Sequence, residues 1–236
     1  MTRRSILDLL AAGSPVFGAF APERSVEGGR KAAADADIDF VFYDLEEAEW
    51  DMVALRDFLG ALERASGDAG PPDVLLRIPP VRDDRAAARA RVAEGLAAGV
   101  RGLILPHVES TEDVGTAAEV IGERLWPLHP DGDVLLVAQI ESRGAVERVE
   151  EIAPAPGVGV LLPGQADLRQ SYAGDESAVQ AAVSRVLAAG EATGVPCGVT
   201  AGPEDVAERL EQGFEFIIAV RPGAASLGRA AAGRKD

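Results

Sequence analysis

A regular alternation constrains this chain more than any other feature: eight short apolar runs, each followed by a stretch with helical spacing. The runs fall near Val16–Phe20, Phe40–Tyr43, Val74–Ile78, Gly102–Leu105, Val134–Ile140, Val158–Leu162, Cys197–Thr200 and Phe214–Val220. They are apolar on both faces, as strands buried on both sides are. Between them lie Ala-, Glu- and Arg-rich segments such as "AEWDMVALRDFLGALERAS", "DDRAAARARVAEGLAAG" and "DESAVQAAVSRVLAAGEATG". Several open with Ser or Asp and close on Gly, which is the pattern of capped helices. Strand–helix alternation predicts a parallel sheet covered by helices. Eight such units in 236 residues predict a single (β/α)8 TIM barrel over 1–236, for which about 250 residues is typical. A doubly wound open sheet is the rival, but "FGAFAPERS" after the first run is no Gly-rich phosphate turn. The glycines of "GVGVLLPG" precede their strand instead of following it.

Charge and scarcity then narrow the function. A net charge of -16 argues against nucleic acid or an anionic membrane as partner, since both need a basic face. No apolar run approaches the ~18 residues of a membrane span. Asp8 interrupts the apolar part of "MTRRSILDLLAAGSPVFG", which fits an amphipathic helix better than a signal peptide. The lone Cys197 excludes internal disulfides and suits a reducing cytoplasm, the expected location. Lys31 and Lys235 are the only lysines, so a Walker-type phosphate loop is absent. Schiff-base catalysis would have to use Lys31, in an apparent helix, or Lys235, one residue from the end. With His107, His129 and one cysteine, no Cys/His zinc cluster can be assembled.

In a barrel the C-terminal ends of the strands converge on one mouth, where the active site lies. Strand two ends in Asp44, followed by "LEEAE"; strand three ends in Arg77-Ile78-Pro79-Pro80, and strand four in Pro106-His107. Strand five ends in Gln139 and Glu141, strand six in Pro163-Gly164-Gln165-Ala166-Asp167, and strands seven and eight offer Thr200 and Arg221. Acids with one arginine are the inventory of a hard-metal site. Glu141 and Asp167 end adjacent strands, where two bare anions would repel and one would take up a proton. A divalent cation removes the conflict, since Mg2+ or Mn2+ commonly uses only one or two protein carboxylates. The residues alone equally allow Glu141 to pair with Arg77 or Arg143, and Asp167 to cap the helix "ADLRQSY".

The segment "VAQIESRGAVERVEEIAPAPGVGVLLPGQADLRQSYAG" resembles the QIE(T/S)xxG…GVxxxxxGPxDLS signature of the HpcH/HpaI aldolase family. "DFVFYDLEEAEWDMVALRDFL" resembles its strand-two DxEH segment, "LLRIPP" its RxP segment, and "AAGVRGLILPHVESTEDV" its GAxGxxxPxVxxxEEA segment. "GFEFIIAV" resembles its last strand, so the likeness covers nearly the whole chain. The resemblance implies a metal-dependent pyruvate aldolase of the phosphoenolpyruvate/pyruvate barrel superfamily. It implies that Glu141 and Asp167 hold a divalent metal (Mg2+ or Mn2+, with Co2+ also compatible) and that Gln139 supports the site. Arg77 would contact the keto oxygen, with Gly164, Ala166 and Asp167 at the pyruvate carboxylate. Asp44 and Glu47 complete the implied catalytic set, Glu47 standing where the family has histidine. The implied partners are a small 2-oxo acid and an aldehyde, within a homo-oligomer.

Two departures bear on the chemistry. A carboxylate at Glu47 has a reference pKa of about 4.3 against about 6.5 for histidine, and His107 is the other candidate to replace it. The family's Gly-Pro before the acid is Gly164-Gln165, and the final helix is expected to be short. The leading expectation is an aldolase acting on 4-hydroxy-2-oxo acids. Oxaloacetate decarboxylation, a CoA-thioester lyase relative, and a non-catalytic 2-oxo-acid-binding homologue are the alternatives.

Overall fold

Each apolar run becomes a strand in a computed structural model that describes residues 3–234. The strands are β1 (Val16–Phe20), β2 (Phe40–Asp44), β3 (Asp73–Arg77), β4 (Gly102–Leu105), β5 (Leu125–Trp126), β6 (Val134–Ile140), β7 (Val160–Pro163), β8 (Gly198–Ala201) and β9 (Phe216–Ala219). All pairings are parallel. The two-residue β5 was not expected; it pairs with the start of β6, while β7 pairs with its end. Ladder pairing runs without a break from β8 through β9, β1, β2, β3, β4 and β6 to β7. This is an α/β fold with its strands curled as in a TIM barrel. The expected closed ring is corrected at one seam. Between β7 and β8 there is no ladder, only the bridge of Leu161 to Cys197, with the Leu161 N–H donating to Pro196 O at 3.0 Å.

The helices covering the sheet are α1 (Ile6–Ala11), α2 (Val26–Ala34), α3 (Met52–Ser66), α4 (Arg85–Ala98), α5 (Thr111–Ile121), α6 (Arg143–Glu147), α7 (Val149–Ile152), α8 (Gln165–Ser171), α9 (Glu176–Thr193), α10 (Val206–Glu211) and α11 (Ala224–Ala231). Their ends follow the sequence signals. Asp51, Asp84, Ser110 and Asp175 each accept a backbone N–H in the first turn, and Gly99 and Gly194 close α4 and α9 in the left-handed region. The amphipathic N-terminal segment is helix α1, which buries Ile6, Leu9 and Leu10. The short α11 is fastened by Arg229, whose Nη1 donates to the buried Asp39 at 3.0 Å. Among the described residues no helix is long and apolar enough to cross a membrane.

Two apolar layers result, because neighbouring strand residues point to opposite faces. One lies between sheet and helices and includes Val41, Tyr43, Leu76, Leu103, Leu136 and Leu161. The other fills the inside of the curl with Val16, Phe40, Phe42, Leu75, Ile104, Leu135, Val137, Val160, Leu162, Phe216 and Ile218, closed from below by α1. Phe40 and Phe216 stack there at 4.3 Å, in space left by Gly18, where a Cβ would come within 2.2 Å of the Phe40 ring. Followed upward, the inward parity reaches polar residues: Phe42 leads to Asp44, Leu75 to Arg77, and Val137 to Gln139 and Glu141. The interior changes from hydrocarbon to charge at the C-terminal strand ends.

Candidate active site

A cavity of about 220 Å³ opens over that change. Its apolar floor is Phe20, Phe42, Leu162 and Ile218; its polar wall is Arg77, Gln139, Glu141, Asp167 and Thr200, with Gly164 and Ala166 beside them. Arg77, Gln139 and Thr200 come from inward strand positions, Glu141 directly follows β6, and Gly164, Ala166 and Asp167 come from the loop and helix after β7.

Arg77 is the hub. It lies directly opposite Asp44 in the β2–β3 register and grips it with two parallel bonds, Nε to Oδ1 at 2.9 Å and Nη2 to Oδ2 at 2.6 Å. Its Nη1 meets Glu46 Oε2 at 2.8 Å and reaches Gln139 Oε1 at 3.4 Å, while the guanidinium lies 5.2 Å from the Phe42 ring centroid. Arg77 is thus ion-paired with Asp44 and Glu46, and the same side chain still lines the cavity. Burial opposes ionisation of Asp44, but the Arg77 fork and the Glu46 N–H outweigh it and hold the carboxyl below its ordinary value.

Glu141, whose position beside a buried strand is costly for a carboxylate, has a 1 % exposed side chain. It is met by donors rather than by a cation. Gln139 Nε2 donates to Oε1 at 3.1 Å and the His107 backbone N–H donates to Oε2 at 2.9 Å. Neither Arg77 nor Arg143 bonds it; the Arg143 guanidinium instead stacks 4.9 Å from the Tyr172 ring. Burial pushes the Glu141 carboxyl up to about 7, with the anions of Asp167 and Glu46 adding to the rise and the His107 contacts opposing it. Burial also raises Glu46. Gly164 makes the close packing possible, since a Cβ there would stand 2.1 Å from Glu141 Oε1.

Asp167 is in the first turn of α8 but does not cap it: the cap position is Gly164, with no side-chain bond. Glu141 and Asp167 both line this one cavity, whereas the group with ligand spacing is Glu46, His107 and Glu141. Glu47 is placed differently. It is exposed and absent from the cavity wall, whereas Glu46 faces Arg77 and His107. His107 was weighed only as a substitute base, yet it is brought into the cluster: Nε2 is 3.3 Å from Glu46 Oε1, and Nδ1 is 3.7 Å from Glu141 Oε2. One ligand atom from each of Glu46, His107 and Glu141 lies within 4.8 Å of the others. His107 adopts φ 50, a left-handed conformation uncommon outside glycine, which orients both its N–H and its ring. His129 lies outside this cluster.

Comparison with known proteins points the same way. A family model described as HpcH/HpaI aldolase/citrate lyase matches residues 19–221. A hydroxypyruvate/pyruvate aldolase of Paraburkholderia phytofirmans is 28% identical over 234 residues, covering 86% of this chain and 85% of its own. A 5-keto-4-deoxy-D-glucarate aldolase of Salmonella gallinarum is 28% identical over 212 residues, with 77% of each chain covered. The crystal structure of an HpcH/HpaI aldolase/citrate lyase family protein from Burkholderia cenocepacia superposes with a TM-score of 0.78 at 27% identity, over 95% of both chains.

Proposed function

Because the chain belongs to the HpcH/HpaI aldolase/citrate lyase family, we propose that it is a divalent-metal-dependent aldolase joining or cleaving pyruvate enolate and an aldehyde. The substrates are then 4-hydroxy-2-oxo acids, and the whole chain acts as one (β/α)8 barrel domain. The observation that carries the reading is the shared cavity of Arg77, Gln139, Glu141 and Asp167 above an apolar floor. Its 220 Å³ suit a small 2-oxo acid rather than a polymer.

The donor set fits a divalent cation. Glu141 and Asp167 supply carboxylate oxygens, Glu46 and His107 stand beside them, and such an oxygen-rich set suits Mg2+, Mn2+ or Co2+. When bound, the cation would supply Lewis acidity that draws electron density from a 2-oxo group and acidifies the adjacent methyl. The chain's own residues do the rest. Arg77, fixed by Asp44, brings its guanidinium charge, with one Nη2 hydrogen not yet engaged, to the oxygen on which enolate charge develops. The first N–H groups of α8, at Gln165 to Asp167, lack intrahelical acceptors and receive the substrate carboxylate. Phe42, Leu162 and Ile218, all buried, exclude water beneath the reacting methyl.

A second reading, oxaloacetate decarboxylation, is favoured by the exposure of Glu47. Decarboxylation generates the enolate without removing a C–H proton, so it needs no base at that position. Purified protein with Mn2+, Mg2+ or Co2+ in deuterated water separates the two. Deuteration of the pyruvate methyl, with turnover across an aldehyde panel, supports the aldolase. Loss of oxaloacetate without methyl exchange supports the decarboxylase, and neither activity with any cation overturns both. Homo-oligomeric assembly belongs to the same proposal, supported by Phe20 and Val220, which are 42% and 48% exposed along one surface cleft. Sedimentation velocity reads it directly.

A further inference from the structure

Resting on the lyase reading above, we propose that His107 Nδ1 is itself a ligand of the site's cation, with Glu46 as the hydrogen-bond partner of Nε2. The site would then select Mn2+ and Co2+ over Mg2+.

The argument starts from one ring. A neutral imidazole has one N–H and one lone pair, and the partner of one nitrogen decides the role of the other. His107 Nε2 is 3.3 Å from Glu46 Oε1, an acceptor, so the proton belongs on Nε2. The lone pair on Nδ1 then faces Glu141 Oε2 at 3.7 Å. That separation is too long for a hydrogen bond, and both atoms are acceptors. Two ligands each about 2.0–2.2 Å from one cation stand at most about 4.4 Å apart. The pair therefore has the spacing of two ligands that share an ion. Glu46 is not free to drift, because Arg77 Nη1 holds its other oxygen at 2.8 Å. Carboxylate, imidazole and cation in that order are the usual arrangement by which an outer acid orients a histidine ligand.

Other features serve the same geometry. The left-handed backbone of His107 lets its N–H bind Glu141 Oε2 while its ring reaches the same carboxylate. Gln139 holds the opposite oxygen, so Glu141 is fixed from two sides. Asp167 lines the same cavity. Imidazole nitrogen favours later first-row ions, whereas Mg2+ prefers oxygen ligands and retained water. A site with one nitrogen is thus expected to discriminate where an all-carboxylate one would not.

Pulsed electron paramagnetic resonance of the Mn2+-loaded protein tests the assignment without relying on a variant. Modulation from an imidazole nitrogen is expected, surviving in His129→Gln and vanishing in His107→Gln. Calorimetric titration gives a second readout. His107→Gln should weaken Co2+ binding by roughly 10–100-fold, the scale seen when a metal site loses a supporting group, and Mg2+ binding far less. Mn2+ binding that is lost in Glu141→Gln but shows no nitrogen modulation would overturn the imidazole ligand and leave the lyase reading standing. So would equal losses of Co2+ and Mg2+ affinity in His107→Gln. A protein that binds none of the three cations overturns both.

Discussion

Arg77 and Asp44 stand at the same level on neighbouring strands, and the guanidinium closes on the carboxylate through two bonds, at 2.9 Å and 2.6 Å. This fork leaves Arg77 a single orientation over the cavity. A lysine would keep the charge and lose the plane, so it could not hold Asp44, Glu46 and Gln139 together. Arg77→Lys is expected to lower kcat by about 10²–10³-fold, the usual effect of removing one oxyanion donor. The thermal midpoint should move by only a few degrees. Steady-state kinetics beside a melting curve checks this, and near-normal turnover would assign Arg77 a purely structural part.

Glu46 and Glu47 are adjacent in sequence and separate in consequence. Glu46 contacts Arg77 and His107, while Glu47 points to solvent. Glu46→Gln should reduce turnover by at least about tenfold through the loss of a charge that orients both neighbours. Glu47→Gln should leave turnover within about twofold, as surface changes away from a site do. Pyruvate methyl exchange in the two variants decides it. A large loss in Glu47→Gln would return that residue to the mechanism.

Gly164→Ala adds one methyl where Glu141 Oε1 already lies, 2.1 Å from the new Cβ. The backbone φ of -84 at this position accepts alanine, so the strain falls on the carboxylate. Mn2+ affinity should drop by about tenfold or more while the far-ultraviolet spectrum stays unchanged. Shortening the partner in Gly164→Ala/Glu141→Asp should recover part of the loss. That non-additivity is expected of groups in contact, and two purely additive losses would show that the two do not compete for space.

Titration of Glu141 gives a pH signature. Burial lifts its folded value from the ordinary 4.5 to about 7, so the metal-free folded state holds this proton more tightly than the unfolded chain does. The contribution of this group to stability is therefore greatest below about 4.5 and declines as pH rises to about 7. Cation binding needs the ionised form, so it runs the other way. Mn2+ affinity should fall about tenfold per unit below pH 7 and level off above it. Calorimetry across that range reads the slope. A flat profile would mean that Glu141 is already ionised without the metal.

Much of this site could be read from residue parity. Asp44, Arg77 and Gln139 lie at strand ends, each sharing the inward face with the apolar residue two positions before it, and Glu141, just past β6, continues the parity of Gln139. The same rule, carried past the end of β2, separates the two glutamates. Leu45 N–H still donates to Arg77 O at 3.0 Å, so the chain stays extended and Glu46 keeps the inward parity of Asp44. His107 breaks the rule itself. The step from Ile104 would turn it outward, and only a left-handed φ, which no non-glycine residue announces, brings it back. The strand β5 is not legible in the sequence, because two residues carry no period.

The seam between β7 and β8 has a consequence for how the molecule fails on warming. Glu141 stands at the end of β6, laddered on both sides, whereas Asp167 follows β7, whose outer edge is joined only through Leu161 and the neighbouring Pro196 carbonyl. Local opening begins where backbone bonds are fewest. The two acids are thus mounted on supports of unequal stiffness, and heat would part them before it melts the helices. If the two acids hold a cation as proposed, warming should release it, and with it the proposed chemistry, while a spectrometer still reports the helices folded.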